Sequence, residues 1–369
     1  MAHSLALPFA AVVAASSGLA QAPARLSPAE FGALVERVSE PGGYFDTDNL
    51  VSNEDSYLHA ITGLERHGVR GGAYLGVGPD QNFSYIAAIR PRIAFIIDIR
   101  RDNLLEQLLF KALFHQARNR IEFLSLLFGR TPPADTAGWS ARDLEALLGY
   151  VSRGPPDSLA AARARRVVGS LVRGFGMALS AGDLATIERF HRTFIAEGLE
   201  LKLTTFGRPE RFDYPTYRRL LLETDREGRR ANYLARESAF RFVKTLQERN
   251  LIIPVVGDLA GPKAVAAIAR YLTERGEPVS AFYTSNVEQY LFRGGTFGQF
   301  ARNLEALPHD QRSVIVRSYF PYGRPHPQAV PGYLSVQLLQ TVDAFLEVQR
   351  GGGFRSYGEL VTRDLLLIR

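Results

Sequence analysis

Two apolar rhythms alternate along this chain. Largely apolar runs occur at Ala73–Leu75, Ile93–Ile97, Leu251–Val256, Val279–Tyr283 and Ser313–Val316. The first four are closed by Gly76, Asp98, Gly257 and Thr284. Runs of this length without polar alternation predict strands buried on both faces. Between the first two runs, apolar residues recur at helical spacing: Phe83, Tyr85, Ile86 and Ile89. The same spacing follows the third run (Val265, Ile268, Leu272) and the fourth (Val287, Tyr290, Leu291). Strands joined by helical crossovers predict a doubly wound, mostly parallel, Rossmann-like α/β sheet.

From Asp102 to Asn250 the strand rhythm stops. Helical patterns follow one another over Leu104–Phe128, Ser140–Val151, Ser158–Leu179, Leu184–Ala196 and about Asn232–Glu248. The chain therefore reads as one α/β domain over residues 23–369, with a mainly helical insertion over 102–250 between the second and third strands. Leu199–Thr204 alternates apolar and polar, as a strand-pair member or a sheet edge would. Ahead of the sheet, Ser27, Pro28 and Glu30 spell a capping box for a helix carrying Phe31, Leu34, Val35 and Val38. Tyr57, Leu58, Ile61 and Leu64 predict a second helix. Near the end, a helix is predicted over about Tyr333–Val348.

The first predicted strand runs into Gly76-Val77-Gly78-Pro79-Asp80-Gln81-Asn82. Glycines at 76 and 78 permit a sharp turn and a close ligand approach. Pro79 suits the first position of the following helix. That helix's free N–H groups would face whatever lies over the turn. The next strand ends in Asp98, about 20 residues on, where a dinucleotide or nucleoside site places its ribose-binding acid. A structural turn accounts for the glycines equally well. The polar run Tyr44–Asp55 holds Asn53 and Glu54. It reads either as an Asx-turn and helix cap built from Ser52 or Asn53, or as a loop lying over the mouth of a ligand site.

Composition narrows the chemistry. No cysteine is present, which excludes disulfides, thiolate zinc sites and cysteine nucleophiles. The seven histidines form no metal-binding pair motif. No G-x-S-x-G elbow occurs. A net charge of +6 over 369 residues is modest. Its densest cluster (Arg163, Arg165, Arg166, Arg173) lacks interleaved aromatics and reads as a solvated helix face rather than a nucleic-acid surface. Gly257–Lys263 is too short for a Walker loop, although a helix N-terminus and Lys263 would converge there on an anion. Leu5–Ala20 is apolar and ends in Ala20-Gln21-Ala22, a small-residue cleavage signature. A signal peptide over residues 1–22 and export follow from it; a buried helix, or a start placed too early in a cytoplasmic protein, would leave the same pattern. No run reaches the roughly 20 apolar residues that a membrane span needs.

With these residues in view, the order resembles class I S-adenosylmethionine-dependent methyltransferases. Gly76-Val77-Gly78, continuing through Asp80 and Asn82, resembles their glycine-rich cofactor loop. Asp98, with Arg100 beside it, resembles the ribose-binding acid, and Asp258 the acid that meets adenine. Ser285-Asn286-Val287-Glu288-Gln289-Tyr290 resembles the fourth-strand motif facing the methyl group. The resemblance implies S-adenosylmethionine as cofactor, Asn286 and Glu288 as catalytic residues orienting the acceptor, and Tyr290 at the substrate; the reading of the polar run as a loop over the site adds Asn53 and Glu54 there. Tyr74 stands where that family carries an acid, and Asp80 replaces its third glycine. The string around Gly76–Ile86 also resembles a family of exported bacterial proteins of unassigned activity. Two function classes follow: a methyl-transferring enzyme, or an exported non-catalytic protein that binds a small molecule or a protein.

Overall fold

The computed structural model describes residues 24–154, 157–207, 209, 211–321, 323 and 325–368. The expected signal peptide lies outside the described residues. The chain forms an α/β fold around one six-stranded sheet in the order β3-β2-β1-β4-β5-β6. The strands are β1 (Ala73–Val77), β2 (Ile93–Asp98), β3 (Ile252–Val256), β4 (Val279–Ser285), β5 (Val314–Tyr319) and β6 (Val336–Thr341). β1 to β5 pair in parallel, and β6 runs antiparallel along β5. Strand order reverses between β1 and β4, which is the switch point where such sheets open a crevice.

Local sequence explains the first helices. In α1 (Pro28–Val38) Ser27 and Glu30 close the predicted capping box. α2 (His59–Arg66) follows the polar segment, and α3 (Asn82–Ile89) joins β1 to β2. The long helical pattern after β2 is broken into α4 (Arg101–Gln116) and α5 (Arg120–Leu127). The break is chemical: Asn119 turns its side chain onto the Glu122 N–H at 3.1 Å and caps the new helix. The insertion continues through α6 (Leu144–Val151), α7 (Ser158–Val172), α8 (Ala181–Glu197), α9 (Tyr217–Leu221) and α10 (Glu237–Glu248). α4 is the hinge of this part, packing on β2 and β3 and also against α5, α7, α8 and α10. After β3 come α11 (Ala264–Thr273), α12 (Val287–Gly294), α13 (Phe297–Glu305), α14 (Val342–Arg350) and α15 (Tyr357–Leu360). Among the described residues no helix is long and apolar enough to cross a membrane.

Three expectations are corrected. The predicted helix Tyr333–Val348 begins as strand β6, and only Val342–Arg350 is helical. Its apolar spacing fits either element; pairing with the open edge of β5 decides, and Thr341 then caps α14 by accepting from Ala344 N. Leu199–Thr204 forms no strand. Its alternating leucines are buried, but its strand-like pairing is limited to one bridge, Thr47 to Thr205, and the neighbouring bonds to residues 46 and 48. Helix α3 starts at Asn82 instead of Pro79, because Asp80 and Gln81 form a tight turn whose carbonyls accept from Phe83 and Ser84.

Between α12 and the sheet lies a buried ion pair. Glu288 receives Arg317 Nε at 2.8 Å and Nη2 at 3.0 Å, and neither side chain is exposed. Arg317 also donates to Gln340 on β6. Removing one member leaves the other charge buried and unpaired, which costs about 3–5 kcal/mol. Glu288→Ala is therefore expected to lower the unfolding free energy by about that amount in urea, and Glu288→Leu combined with Arg317→Met by clearly less.

Candidate functional site

Strand register sets the ends of β1, β2 and β3 level: Val77 pairs with Ile97, and Asp98 with Val256. Above these ends and that of β4 opens a cleft of ≈ 240 Å³. Its floor is Val77, Gly78, Ile97, Asp98 and Gly257. The polar segment Phe45–Glu54 forms one wall, Ser285–Leu291 another, and Leu203, Thr205 and Tyr214 of the insertion a third. The insertion thus reaches the cleft through an irregular segment rather than through its helices.

The cofactor-loop residues divide. Gly78 (φ +85) lies in the cleft, and a side chain there would be strained. Gly76 does not. A Cβ on it would sit 2.0 Å from Asn82 Oδ1 and 2.5 Å from the Tyr74 hydroxyl, so it is glycine to admit two protein side chains rather than a ligand. Asn82 is fully buried and ties the turn. Its Nδ2 donates to the carbonyls of Val77 (2.9 Å), Gly78 (3.3 Å) and Pro79 (2.8 Å), while Oδ1 accepts from Tyr74 (2.7 Å). Asp80 also leaves the ligand set. It points into the insertion and accepts from the hydroxyls of Tyr217 at 2.6 Å and Tyr233 at 3.1 Å. Gly76, Asp80 and Asn82 are therefore corrected from cofactor contacts to supports of the turn.

Asp98 lines the cleft, but it already holds Arg100. Its Oδ1 accepts from Arg100 N (2.8 Å) and Nε (3.2 Å), and its Oδ2 from Nη2 (3.1 Å). Arg100 spends its remaining donors on the carbonyls of Thr47 and Asp48, both at 2.9 Å. Arg100 is corrected likewise: it does not line the cleft but pins segment 47–48 over the β2 end. Asp258 lines the cleft and caps its own turn by accepting from Ala260 N at 2.9 Å. The anion site expected near Lys263 is filled by the protein itself, since Glu40 accepts from the Asp258 and Lys263 N–H groups.

Of the fourth-strand residues, Asn286 and Tyr290 line the cleft, Tyr290 with its ring edge-to-face on Phe45 at 5.0 Å. Glu288 is corrected from a catalytic role, because the buried pair with Arg317 holds it behind the strand. Asn53 lines the cleft as well. Ser52 makes the expected turn, accepting from Glu54 N at 3.1 Å, yet it does not cap α2. Glu54 lines the cleft, is 2% exposed, and accepts from the hydroxyls of Tyr283, Ser285 and Ser318. Burial raises its pKa above that of an ordinary carboxylate, against these three donors.

Sequence reasoning passed over Asn49, Gln81 and Ser285 as individual site residues. Asn49 (φ 51) and Ser285 (φ 54) hold left-handed backbone without being glycine, at roughly 1–2 kcal/mol each. The register between β4 and β5 shifts between Tyr283 and Ser285, so that Thr284 is the extra residue and Ser285 pairs with Arg317. Nothing in local sequence signals that shift.

The fold and this cleft define a Rossmann-like α/β protein with a ligand-type crevice at its switch point. The chain belongs to a family described as a domain of unknown function (DUF7790), whose profile matches residues 50–137 and 193–362. The matched residues include all six strands and every cleft residue except Phe45, Thr47 and Asn49. No curated protein matches the chain.

Asp80 offers a direct check on how the insertion is anchored. Burial raises its pKa from 3.8 to about 6, against the two tyrosine hydrogen bonds. In that window the unfolded chain releases the proton while the folded one keeps it. Stability from this group is therefore complete below about pH 4 and falls as pH rises through about 6, by on the order of 3 kcal/mol. Asp80→Asn keeps an oxygen for both tyrosines and removes the titration. Its urea-unfolding free energy, relative to the wild type, is expected to improve progressively from pH 4 to pH 7.

Proposed function

We propose that the cleft binds a nucleoside-type small molecule, and that S-adenosylmethionine is the cofactor whose chemistry suits it. One observation carries this reading: among the described residues lining the cleft there are three carboxyl groups, Glu54, Asp98 and Asp258, and no lysine or arginine. A phosphate-bearing cofactor entering such a lining would meet like charge without a counterion. A sulfonium or an uncharged nucleoside meets no such penalty. Gly78 presents backbone without a side chain, Asp98 offers an acid at the end of β2, and Ile97, Ile99 and Leu259 supply apolar walls for a base. The sheet order and the antiparallel final strand are compatible with a methyltransferase-like protein. In that reading the cofactor brings the reactive methyl group, and the chain binds and orients.

A second reading, a binding protein without methyl transfer, is favoured by the first turn. The space over Gly76 is filled by Tyr74 and Asn82, and both oxygens of Asp98 are engaged by Arg100.

Titration calorimetry of the full chain tests the binding. S-adenosylhomocysteine and S-adenosylmethionine are expected to bind at least about tenfold more tightly than ATP or NAD, a difference of about 1.4 kcal/mol. Charge-assisted bonds from ribose hydroxyls contribute roughly 1.5–3 kcal/mol each, so Asp98→Ala is expected to weaken S-adenosylhomocysteine at least about tenfold. An Asp98→Ala protein that melts lower but binds unchanged would assign Asp98 to Arg100 alone.

A further inference from the structure

The hydrogen bonds around Glu54 have a direction. Gln81 Nε2 donates to the Tyr283 oxygen at 3.3 Å, which turns the Tyr283 proton toward Glu54 Oε2. Gln337 Nε2 donates to Ser318 Oγ at 2.7 Å, and the Ser318 hydroxyl reaches the same Glu54 oxygen more closely than its other acceptor, Gln337 Oε1 at 3.1 Å. Oε2 is thus saturated from behind by two hydroxyls that are themselves held in place. Oε1 has one partner, Ser285 Oγ. Of the three hydroxyl residues only Ser285 lines the cleft, next to the register shift of β4 and with a left-handed backbone. Its proton has a second acceptor, Asn286 Oδ1 at 3.4 Å. Beside it, Gln81 Oε1 is buried without a hydrogen-bond partner, on a residue that also lines the cleft. A buried acceptor left unpaired is costly and calls for a donor from the ligand.

We infer that Glu54 and Ser285 form a proton-accepting pair, and that the cleft's second ligand is a small neutral acid whose reacting O–H or N–H gives its proton through the Ser285 hydroxyl to Glu54 Oε1. The inference rests on the nucleoside reading of the same cleft and names the acceptor class for it. In the step, the ligand O–H or N–H bond breaks and its proton bonds to Ser285 Oγ. The proton that Ser285 carried moves to Glu54 Oε1, turning carboxylate into carboxylic acid. The ligand keeps the electron pair, which is what a methyl acceptor must present. Gln81 Oε1 takes a second donor of the ligand and orients it.

The surroundings suit a base. No cation pairs with Glu54 among the described residues. The titratable groups facing it are Tyr74 from β1, Tyr85 from α3, Tyr283 from β4 and Tyr357 beyond β5, all raised by burial and so uncharged near neutral pH. Arg317 next to Ser318 is neutralised by Glu288. A carboxyl whose pKa is raised by burial is a better proton acceptor than an ordinary one, and the three hydroxyl donors keep its ionised form accessible.

Two measurements on the full chain without cofactor test the pair. The first is carbon NMR of protein labelled at glutamate carboxyls. The resonance missing from Glu54→Gln is expected to titrate above the ordinary value of about 4.3. In Ser285→Ala, one donor to the anion is lost, so the affinity of Glu54 for its proton is expected to rise about tenfold. The second uses 4-nitrophenol, whose absorbance distinguishes phenol from phenolate. The wild type is expected to bind it saturably as phenolate at a pH where the free probe is protonated. Both Glu54→Gln and Ser285→Ala are expected to lose that signature. An ordinary Glu54 titration, no saturable probe binding, or an unchanged phenolate signal in either variant would overturn the inference. Calorimetry of wild-type S-adenosylhomocysteine binding decides the nucleoside reading separately, since neither measurement here contains a nucleoside.

Discussion

Two adjacent acids, Glu54 and Asp55, are buried in a segment that the fold lays across the ends of its own strands, and burying them there is the constraint the rest of the site obeys. Asp46, Asp48, Glu54 and Asp55 belong to one polar run. Buried carboxylates are tolerated only when donors replace the water they lose. Asp55, fully buried, takes Leu334 N, Ser335 N and the Ser335 hydroxyl, together with Arg219 at 2.8 Å. Glu54 takes three hydroxyls. The carbonyls of Thr47 and Asp48 take Arg100, which is itself held by Asp98. Glu54 thereby fastens the segment to β4 and β5, Asp55 to the loop before β6 and to α9, and the Thr47 and Asp48 carbonyls, through Arg100, to the end of β2.

That fastening shapes the cleft. The segment becomes a wall because it cannot move away without exposing its acids' partners to loss. Asp98 becomes part of a linked set rather than an isolated ligand hook. The turn after β1 is likewise braced from below by Asn82, so the opening presented to a ligand is Gly78 and Gln81, not the whole glycine motif. Asp80, facing the other way, ties the same turn to Tyr217 and Tyr233 of the insertion. A single turn of chain therefore meets ligand space on one side and the insertion on the other.

The charge of the lining follows from the same arrangement. Arg100 turns away to the carbonyls and Arg317 lies buried behind the strand, so the basic side chains nearest the strand ends are spent on structure. What faces the crevice is acid, amide and hydroxyl. The absence of lysine and arginine from the cleft lining, among the described residues, is thus a by-product of how the protein neutralises its own interior. So is the strained position of Ser285, which the β4–β5 register shift brings to the one Glu54 oxygen left open.

By itself the sequence determined the class of fold and the side of the sheet on which a site lies. Apolar runs alternating with helical spacing admit little else, since backbone pairing and crossover handedness leave few topologies for them. Gly78, Asp98, Asp258, Asn286 and Tyr290 were legible because strand-end positions in such a sheet converge in space. Tertiary structure decided the rest. Whether Tyr333–Val348 opened as helix or strand depended on the vacant edge of β5, which no local pattern encodes. Gly76 and Gly78 look alike in sequence, yet one makes room for Tyr74 and Asn82 and the other lines the cleft. Glu288 and Glu54 are both acids near strand ends; Arg317 captures the first, and only hydroxyls meet the second. Those outcomes turn on which partners arrive from distant parts of the chain, and a local pattern carries no information about what will be packed against it.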